Sequence, residues 1–320
     1  MDTHEHNPDS TVAAGHLLEL ADGVFAWIQP DGTWWLNNAG AVTGGDGTLI
    51  IDTCATESRT RRFLDAVSVA TGGAPIRFAA NTHEHGDHTY GNSLLPVEAA
   101  LIGHETMRSN LLADRLIDGC SPHWHPVPDW GAVSRRVPTI VTRSDLTVHS
   151  GDRRVDLIHP GHAAHTSGDL VAWLPEERIL FTGDLLFVGL TPLVFAGSVD
   201  GALRALEWIE KFGADVVVPG HGPVTSGHDL PAVLSEHERY YRLVLDLAAE
   251  GLASGALPLD LARSADLGGF ADWPDAERLV LNLHRALADA EGRPMDPLAA
   301  LSDATEWNGG PLTTHVCCLG

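Results

Sequence analysis

An apolar run from Pro75 to Ala80 leads directly into a short segment with four metal-competent side chains, His83-Glu84-His85-Gly86-Asp87-His88. On an α-helix of about 3.6 residues per turn, His83 and His85 would lie about 200° apart. A loop that leaves a strand can instead turn both rings toward one point. Imidazole and carboxylate ligands suit Zn²⁺ and neighbouring first-row metals. The segment therefore predicts a metal site on a loop, and the alternative is a polar turn that happens to be rich in histidine.

Composition and charge narrow the class of protein. The chain has 320 residues, 44% of them hydrophobic, which is enough for one large domain or two small ones. Its 43 acidic and 20 basic residues give a formal net charge of −23. That charge repels phosphate backbones except where a bound metal reverses the local field. Nucleic acid is therefore not expected as a partner.

The N-terminal segment, the apolar runs and the cysteines indicate in which cellular compartment the protein is expected. The segment from Met1 to Ser10 is polar and acidic, which is not the pattern of a secretory signal. No run of eighteen apolar residues predicts a membrane span. The four cysteines are too few and too unevenly spaced for a disulfide framework: Cys54, Cys120, Cys317 and Cys318. We expect a cytoplasmic protein without membrane contact.

The order of apolar runs and turns predicts an α/β fold. From Leu17 to Asp52, short apolar runs alternate with turns, as in a meander of strands. Residues Thr56 to Thr71 have helical spacing, and further strands are predicted between Thr139 and Thr182. A helix from Gly201 to Lys211 follows. Two β-rich halves with helices between them predict a sandwich of two facing mixed β-sheets with outer helices.

The last third of the chain has a different pattern. From Leu230 onward the sequence is helical, most clearly at Ala232 to Glu250 and Asp275 to Glu291. The segment from Met295 to Gly320 has weak periodicity and is expected to wrap the surface. These patterns predict a C-terminal helical extension.

Three more positions extend the metal hypothesis. His165, Asp184 and His221 each lie on a loop directly before or after a predicted strand, where strand ends could meet at one cleft. Together with the segment at 83–88 they make five histidines and two aspartates. This set is enough for two metals that share one carboxylate.

On these residues the chain resembles the metallo-β-lactamase superfamily of hydrolases. The HxHxDH motif is complete at residues 83–88, and the later His, Asp and His follow in order. The resemblance covers about Leu17 to Gly227 and implies the αββα fold of that family. Together with the helical pattern after Leu230, this range predicts a flexible N-terminal tail at 1–16, a catalytic domain at 17–229, and a helical extension and tail at 230–320.

The resemblance assigns the ligands as well. One metal would be held by His83, His85 and His165, and the second by Asp87, His88 and His221. Asp184 would bridge the two metals. Glu84 and Gly86 occupy the family's variable positions.

The chemistry implied is that of a dinuclear zinc-dependent hydrolase. Two Zn²⁺ ions per chain, with iron or manganese as alternative metals, would supply a metal-bridging hydroxide near neutral pH. The hydroxide would attack a small ester, thioester, lactone or β-lactam-like amide. Asp87 is the candidate catalytic residue that orients the hydroxide and shuttles a proton. The oligomeric state stays open.

Two other activities fit part of the same ligand set. One is a mononuclear iron oxygenase of the persulfide dioxygenase kind, which metal analysis would distinguish. The other is a small-molecule phosphodiesterase, since the net charge argues only against a polymeric substrate.

Substrate contacts are predicted from loop position alone. Trp34 follows an early turn, and His123 and Trp124 lie in the irregular segment from Gly119 to Pro138. An aromatic side chain on a loop over a metal cleft would supply apolar contact. Ordinary packing of these side chains is the alternative.

Nearby residues offer supporting or competing roles. Asp52 ends a strand and could accept a ring N–H from a ligand histidine, and Asp169 and Asn92 are similar candidates. His162 lies three residues before His165 and competes with it as the ligand. The pair His4 and His6 is interpreted as part of the tail, and Cys317-Cys318 as an inert terminus.

Overall fold

The structure is a computed structural model that describes residues 14–317. The pair His4 and His6, most of the predicted N-terminal tail, and Cys318 lie outside the described residues. The first strand begins at His16.

Strands and helices alternate along most of the described chain. The strands are β1 (His16–Ala21), β2 (Val24–Ile28), β3 (Ala39–Gly44), β4 (Gly47–Ile51), β5 (Ile76–Ala80), β6 (Ala100–His104), β7 (Trp124–His125), β8 (Ile140–Thr142), β9 (Asp145–Ser150), β10 (Arg153–Ile158), β11 (Val171–Leu174), β12 (Ile179–Phe187), β13 (Val216–His221), β14 (Thr225–Ser226) and β15 (Leu312–Thr313). The helices are α1 (Glu57–Ala70), α2 (Gly86–Thr89), α3 (Glu105–Ala113), α4 (Val199–Glu210), α5 (Leu230–Ser254), α6 (Pro258–Ser264), α7 (Arg278–Ala290) and α8 (Pro297–Trp307).

Two mixed sheets form the centre of the fold. Within residues 14–317, one sheet has the strand order β1-β2-β3-β4-β5-β6-β8 and the other β14-β13-β12-β11-β10-β9. In the first sheet β1 to β4 are antiparallel neighbours, whereas β4, β5, β6 and β8 run parallel. In the second sheet β12 and β13 form the parallel pair.

The sheets pack face to face through apolar side chains. Val42 and Leu49 of the first sheet share a buried cluster with Val155, Leu157 and Phe181 of the second. Alternate residues of each strand point to this interface, as the two-residue period of a strand requires. Apolar burial of this kind contributes about 25 cal/mol per Å² and fixes the register of both sheets.

Helices cover the outer face of each sheet. Helix α1 begins where the Thr56 hydroxyl accepts a hydrogen bond from the Arg59 N–H, and it buries Phe63 and Val67 against the first sheet. Helices α4 and α5 cover the second sheet. Ile209 of α4 belongs to the buried apolar cluster on this side of the sheet. The predicted αββα sandwich is confirmed.

The C-terminal region is helical, as expected. Helix α5 ends at Ser254 and is capped by Gly255, whose φ of +78° favours glycine; the helix packs against α4 and α7. Its buried His237 accepts a hydrogen bond from the Phe187 N–H at Nε2, and burial lowers the pKa of its ring to about 4. No helix in the range 14–317 is long and apolar enough to cross a bilayer.

The last segment is more ordered than its weak periodicity indicated. Asp296 caps α8 by accepting hydrogen bonds from the N–H groups of Leu298 and Ala299. Strand β15 then pairs in parallel with β7, and Leu312 and Val316 are fully buried. Long-range packing, which a local pattern does not record, orders this segment.

Candidate active site

The histidine-rich segment leaves β5 as a turn and continues into the short helix α2. His83 and His85 lie in the turn, and Asp87 and His88 lie in the helix. A Cβ atom at Gly86 would lie 2.3 Å from Cζ of Tyr90, so this position requires glycine. The turn and the short helix together aim the four metal-competent side chains toward the edge of both sheets.

The first group of ligands collects around Asp184. The potential ligand atoms of His83, His85, His165 and Asp184 all lie within 4.8 Å of one another. His85 Nδ1 and His165 Nε2 are 2.9 Å apart, and His165 Nε2 lies 3.4 Å from Asp184 Oδ2. We call this group cluster 1.

The second group consists of Asp87, His88 and His221, whose ligand atoms also lie within 4.8 Å of one another. His221 Nε2 is 3.2 Å from Asp87 Oδ2, and His88 Nε2 is 3.8 Å from the same oxygen. We call this group cluster 2.

Asp184 contacts both clusters. Its carboxylate lies 3.0 Å from His88 Nε2 and 3.4 Å from His221 Nε2, in addition to its contacts in cluster 1. Asp184 lies inside β12 rather than on a loop after it, because the strand continues past a register irregularity around Gly183. A Cβ atom at Gly220 would lie 1.9 Å from Asp184 Oδ1, so the close approach of this carboxylate depends on glycine.

The donor set fits a metal cofactor. His83 Nε2, His88 Nε2 and Asp184 Oδ1 are buried and make no hydrogen bond of normal geometry in the described structure, although His88 Nε2 and Asp184 Oδ1 are 3.0 Å apart. Buried polar atoms without partners are costly, and a cation at each cluster would satisfy them. The rings of His165 and His221 are also held in orientation through Nδ1, the nitrogen that does not face the cluster. His165 Nδ1 lies 2.7 Å from the Leu193 carbonyl oxygen and His221 Nδ1 lies 2.8 Å from the Gly32 carbonyl oxygen.

The pKa values of the ligand candidates also bear on metal binding. Burial lowers the pKa of His83 well below its ordinary value and that of His165 to about 3, which keeps both imidazoles neutral. Burial opposes the charged form of Asp184, but the surrounding histidines, led by His221 and His88, hold its pKa well below the ordinary value. Burial opposes the charged form of His88 and His221 too, but Asp184 and the neighbouring carboxylates raise the pKa of His88 well above its ordinary value and that of His221 to about 9. Since neutral imidazoles and ionised carboxylates are the states that bind metal, cluster 1 is ready for an ion, whereas an ion at cluster 2 would displace protons.

A single carboxylate supports both clusters. Asp52 Oδ2 accepts hydrogen bonds from His88 Nδ1 and Thr82 Oγ1, each at 2.8 Å, and Oδ1 accepts from the Thr82 N–H at 2.7 Å. The Thr82 hydroxyl oxygen in turn lies 3.0 Å from His83 Nδ1. The expectation that Asp52 accepts a ring N–H is confirmed, and Thr82 is a link that the sequence did not indicate.

The other supporting candidates have different positions. Asp169 accepts hydrogen bonds from the Thr166 N–H and hydroxyl, next to His165, and burial raises the pKa of its carboxyl to about 8. Asn92 contacts Asn81 and no ligand ring. His162 points away from both clusters, with its ring nitrogens 3.0 and 3.1 Å from backbone carbonyl oxygens.

A cavity of about 500 Å³ opens beside the clusters. Trp34 and Trp124 line it, whereas His123 is not among its lining residues. His123 instead contacts Ser121 through its ring and accepts the Leu312 N–H at its carbonyl. Trp35 also lines the cavity, and its ring packs on Trp130 and Tyr90.

The C-terminal helices supply a wall of this cavity that the sequence did not indicate. Arg278 and Leu281 of α7 and Leu301 of α8 line it. The Arg278 guanidinium lies 4.6 Å from the ring centroid of Trp34. The Trp34 indole N–H donates to Glu277 Oε1 at 2.6 Å. An arginine at the start of the predicted helix, next to its apolar residues, was the available signal.

Comparison with known proteins agrees with this architecture. The family model described as "Metallo-beta-lactamase superfamily" matches residues 32–221, a range that contains all seven residues of the two clusters. The metallo-β-lactamase from Pontibacter korlensis has a similar structure, with a TM-score of 0.58 at 18% identity, covering 71% of this chain and 99% of that one. At this identity the structural likeness concerns the fold alone.

Two curated relatives match by sequence. The 2,4-dinitroanisole O-demethylase subunit alpha of Nocardioides sp. (strain JS1661) is 24% identical over 68% of this chain and 59% of its own length. The hydroxyacylglutathione hydrolase of Brucella anthropi is 27% identical over 61% of this chain and 62% of its own length. The matched part therefore spans about three fifths of each relative.

The family match and the two clusters together support a metal cofactor for this chain. The matched range covers more than half of the chain, and the fold and the ligand order agree with it. The chain belongs to the metallo-β-lactamase superfamily.

Proposed function

We propose that this protein is a dinuclear zinc-dependent hydrolase that acts on a small ester, thioester, lactone or amide. The observation that carries the proposal is the pair of clusters with Asp184 between them. Imidazole nitrogens and carboxylate oxygens are ligands that zinc accepts, and both clusters border one cavity.

His83, His85 and His165 would hold one ion, Asp87, His88 and His221 the other, and Asp184 would contact both. Bound zinc would supply a Lewis acid and a water whose pKa is lowered to about 7. Asp87 lines the cavity and lies 3.2 Å from His221 Nε2, which supports a role for its carboxylate in orienting the attacking water. We assign it the proton transfer from that water to the leaving group.

The cavity supports a small-molecule substrate. Its volume of about 500 Å³ lies in the range typical of small-molecule sites, roughly 300–1,000 Å³. Aromatic side chains make up much of the wall and would keep bulk water from the reacting groups. The curated relatives are a hydrolase of hydroxyacylglutathione and a demethylase subunit for 2,4-dinitroanisole, both named for small molecules.

The free cysteine thiols support a reducing compartment such as the cytoplasm. Cys54, Cys120 and Cys317 are the described cysteines, and each is unpaired. Burial raises the pKa of the Cys54 thiol to about 12, which leaves it unreactive at neutral pH.

Metal analysis combined with a substrate panel tests the proposal. The zinc-loaded protein is expected to contain two zinc ions per chain and to hydrolyse at least one of an ester, thioester, lactone or β-lactam. Asp184→Ala is expected to lose both metal and hydrolysis, since the residue contacts both clusters. One iron per chain in protein from iron- and zinc-supplemented medium would instead support an oxygenase, and turnover confined to phosphodiesters would support a phosphodiesterase.

A further inference from the structure

The loop between β12 and α4 orients one of the proposed metal ligands through its backbone. The Leu193 carbonyl oxygen in this loop lies 2.7 Å from Nδ1 of His165. A carbonyl only accepts hydrogen bonds, so the neutral ring carries its proton on Nδ1 and keeps a lone pair on Nε2. That Nε2 lies 2.9 Å from His85 Nδ1 and 3.4 Å from Asp184 Oδ2, inside cluster 1. The position of the Leu193 carbonyl therefore decides whether His165 presents a lone pair to an ion.

Asn282 of helix α7 holds the two residues that flank Leu193. Its Oδ1 accepts a hydrogen bond from the Val194 N–H at 2.7 Å, and its Nδ2 donates to the Pro192 carbonyl oxygen at 2.8 Å. One partner is a backbone donor and the other a backbone acceptor, which fixes the orientation of the amide. Asn282 is fully buried, so solvent does not replace either contact when the side chain is removed.

The same face of α7 also holds the start of this loop segment. Arg278 lies one helical turn before Asn282, and its Nη1 donates to the Thr191 carbonyl oxygen at 2.9 Å. The remaining hydrogen of the Asn282 amide is donated to the Tyr240 hydroxyl of α5 at 3.0 Å. The loop segment is thus attached to the C-terminal helices, which lie beyond residues 32–221 of the family match.

We propose that Asn282 is a positioning residue for cluster 1, because it holds the Leu193 carbonyl where that group fixes the ring of His165. The inference rests on the proposed metal site, since His165 is a ligand only there. Without Asn282, the loop loses an anchor on each side of Leu193. The carbonyl can then move away from Nδ1, and the ring can turn or carry its proton on Nε2. Either change weakens the binding of an ion at cluster 1.

The tautomer of His165 in the full chain without metal is the first test. Nitrogen NMR of isotope-labelled protein distinguishes a ring protonated at Nδ1 from one protonated at Nε2, and a His165→Gln variant identifies the signals. Wild-type protein is expected to hold the Nδ1–H form. Asn282→Leu, which keeps the volume and removes all three hydrogen bonds of the amide, is expected to show both forms. Asn282→Asp keeps an acceptor for the Val194 N–H and is expected to shift the tautomer less.

Zinc affinity is the second test, because it shows whether the ligand is affected together with the ring. In a series of zinc-buffered solutions, Asn282→Leu is expected to lose one of two zinc ions at a free zinc concentration about 10-fold higher than wild type does. Tyr240→Phe is the matched control, since it removes the hydroxyl that Asn282 Nδ2 contacts and leaves both contacts to the loop. It is expected to keep the wild-type tautomer and zinc affinity. Thermal unfolding of each variant identifies a general loss of fold.

The outcomes separate positioning from general packing. An Nδ1–H ring with wild-type zinc affinity in folded Asn282→Leu protein would overturn the inference, and so would equal changes in Tyr240→Phe. If Asn282→Leu does not fold, the comparison of Asn282→Asp with wild type decides in the same way. A tautomer that depends on Asn282 in a protein that binds no zinc would count against the proposed metal site only. Two zinc ions and hydrolysis that do not depend on Asn282 would count against the inference only.

Discussion

Replacing Asp52 by asparagine is expected to weaken cluster 2 selectively. The wild-type carboxylate only accepts hydrogen bonds, so the His88 ring carries its proton on Nδ1, 2.8 Å from Asp52 Oδ2. His88 Nε2 is then free to bind metal beside Asp87. Asparagine keeps an acceptor for the Thr82 N–H but places an NH₂ donor against His88 Nδ1. The ring proton moves to Nε2, which no longer binds metal.

The magnitude follows from the contacts. Loss of an outer-shell partner of a ligand histidine costs about 10- to 100-fold in metal affinity, or about 1.4–2.8 kcal/mol. His88 is completely buried, and no solvent replaces the lost partner. His83 of cluster 1 is linked to Asp52 only through the Thr82 hydroxyl, which can rotate. The loss is therefore expected mainly at cluster 2.

The assay is zinc content by mass spectrometry after dialysis against a series of zinc-buffered solutions. Wild-type protein is expected to keep two zinc ions at buffer concentrations where Asp52→Asn keeps one. Asp169→Asn serves as the control, because Asp169 is also a buried carboxylate but the hydrogen bonds to its carboxylate oxygens come from Thr166 and not from an imidazole. Equal affinity of wild type and Asp52→Asn for both ions would refute the tautomer argument.

Three further predictions concern single side chains. His165→Ala is expected to lower zinc content and hydrolysis, whereas His162→Ala keeps two zinc ions per chain; full metal loss in the His162 variant alone would contradict the ligand assignment. Gly220→Ala places a Cβ 1.9 Å from Asp184 Oδ1, so it is expected to lower metal content and to destabilise the fold by about 1–3 kcal/mol in urea unfolding; unchanged zinc content would show that the carboxylate tolerates displacement. Burial lowers the pKa of His237 from 6.5 to about 4, so the unfolded chain binds a proton that the folded chain does not, and stability falls as the pH drops from 6.5 to 4 by at most about 3 kcal/mol. His237→Gln should remove that part of the pH dependence in urea unfolding, and an equal slope in both proteins would argue against it.

Much of the fold could be predicted from local pattern. Alternating apolar residues and turns predicted the early strands, and helical spacing predicted α1 and α5, because these periods arise from the elements themselves. Positions that depend on packing were less predictable. Asp184 was expected on a loop and lies inside β12, and the weakly periodic segment after Met295 forms α8 and the buried β15.

The substrate side of the site was the least predictable part. Trp34 and Trp124 line the cavity, yet His123, from the same loop as Trp124, does not. Neighbours in an extended segment point to opposite faces, and the sequence does not say which face meets the cavity. Pairing of β7 with β15 decides this orientation, and those strands are far apart in the chain.

The sequence by itself determined the set of ligand candidates, because the HxHxDH spacing places four of them within one turn and short helix whose geometry is local. Tertiary structure alone decided how they are supported and what they face. Asp52 reaches His88 across 36 residues of chain, and Glu277 reaches Trp34 across 243. Only packing of the two sheets and the C-terminal helices makes such contacts, and local side-chain periodicity carries no information about them.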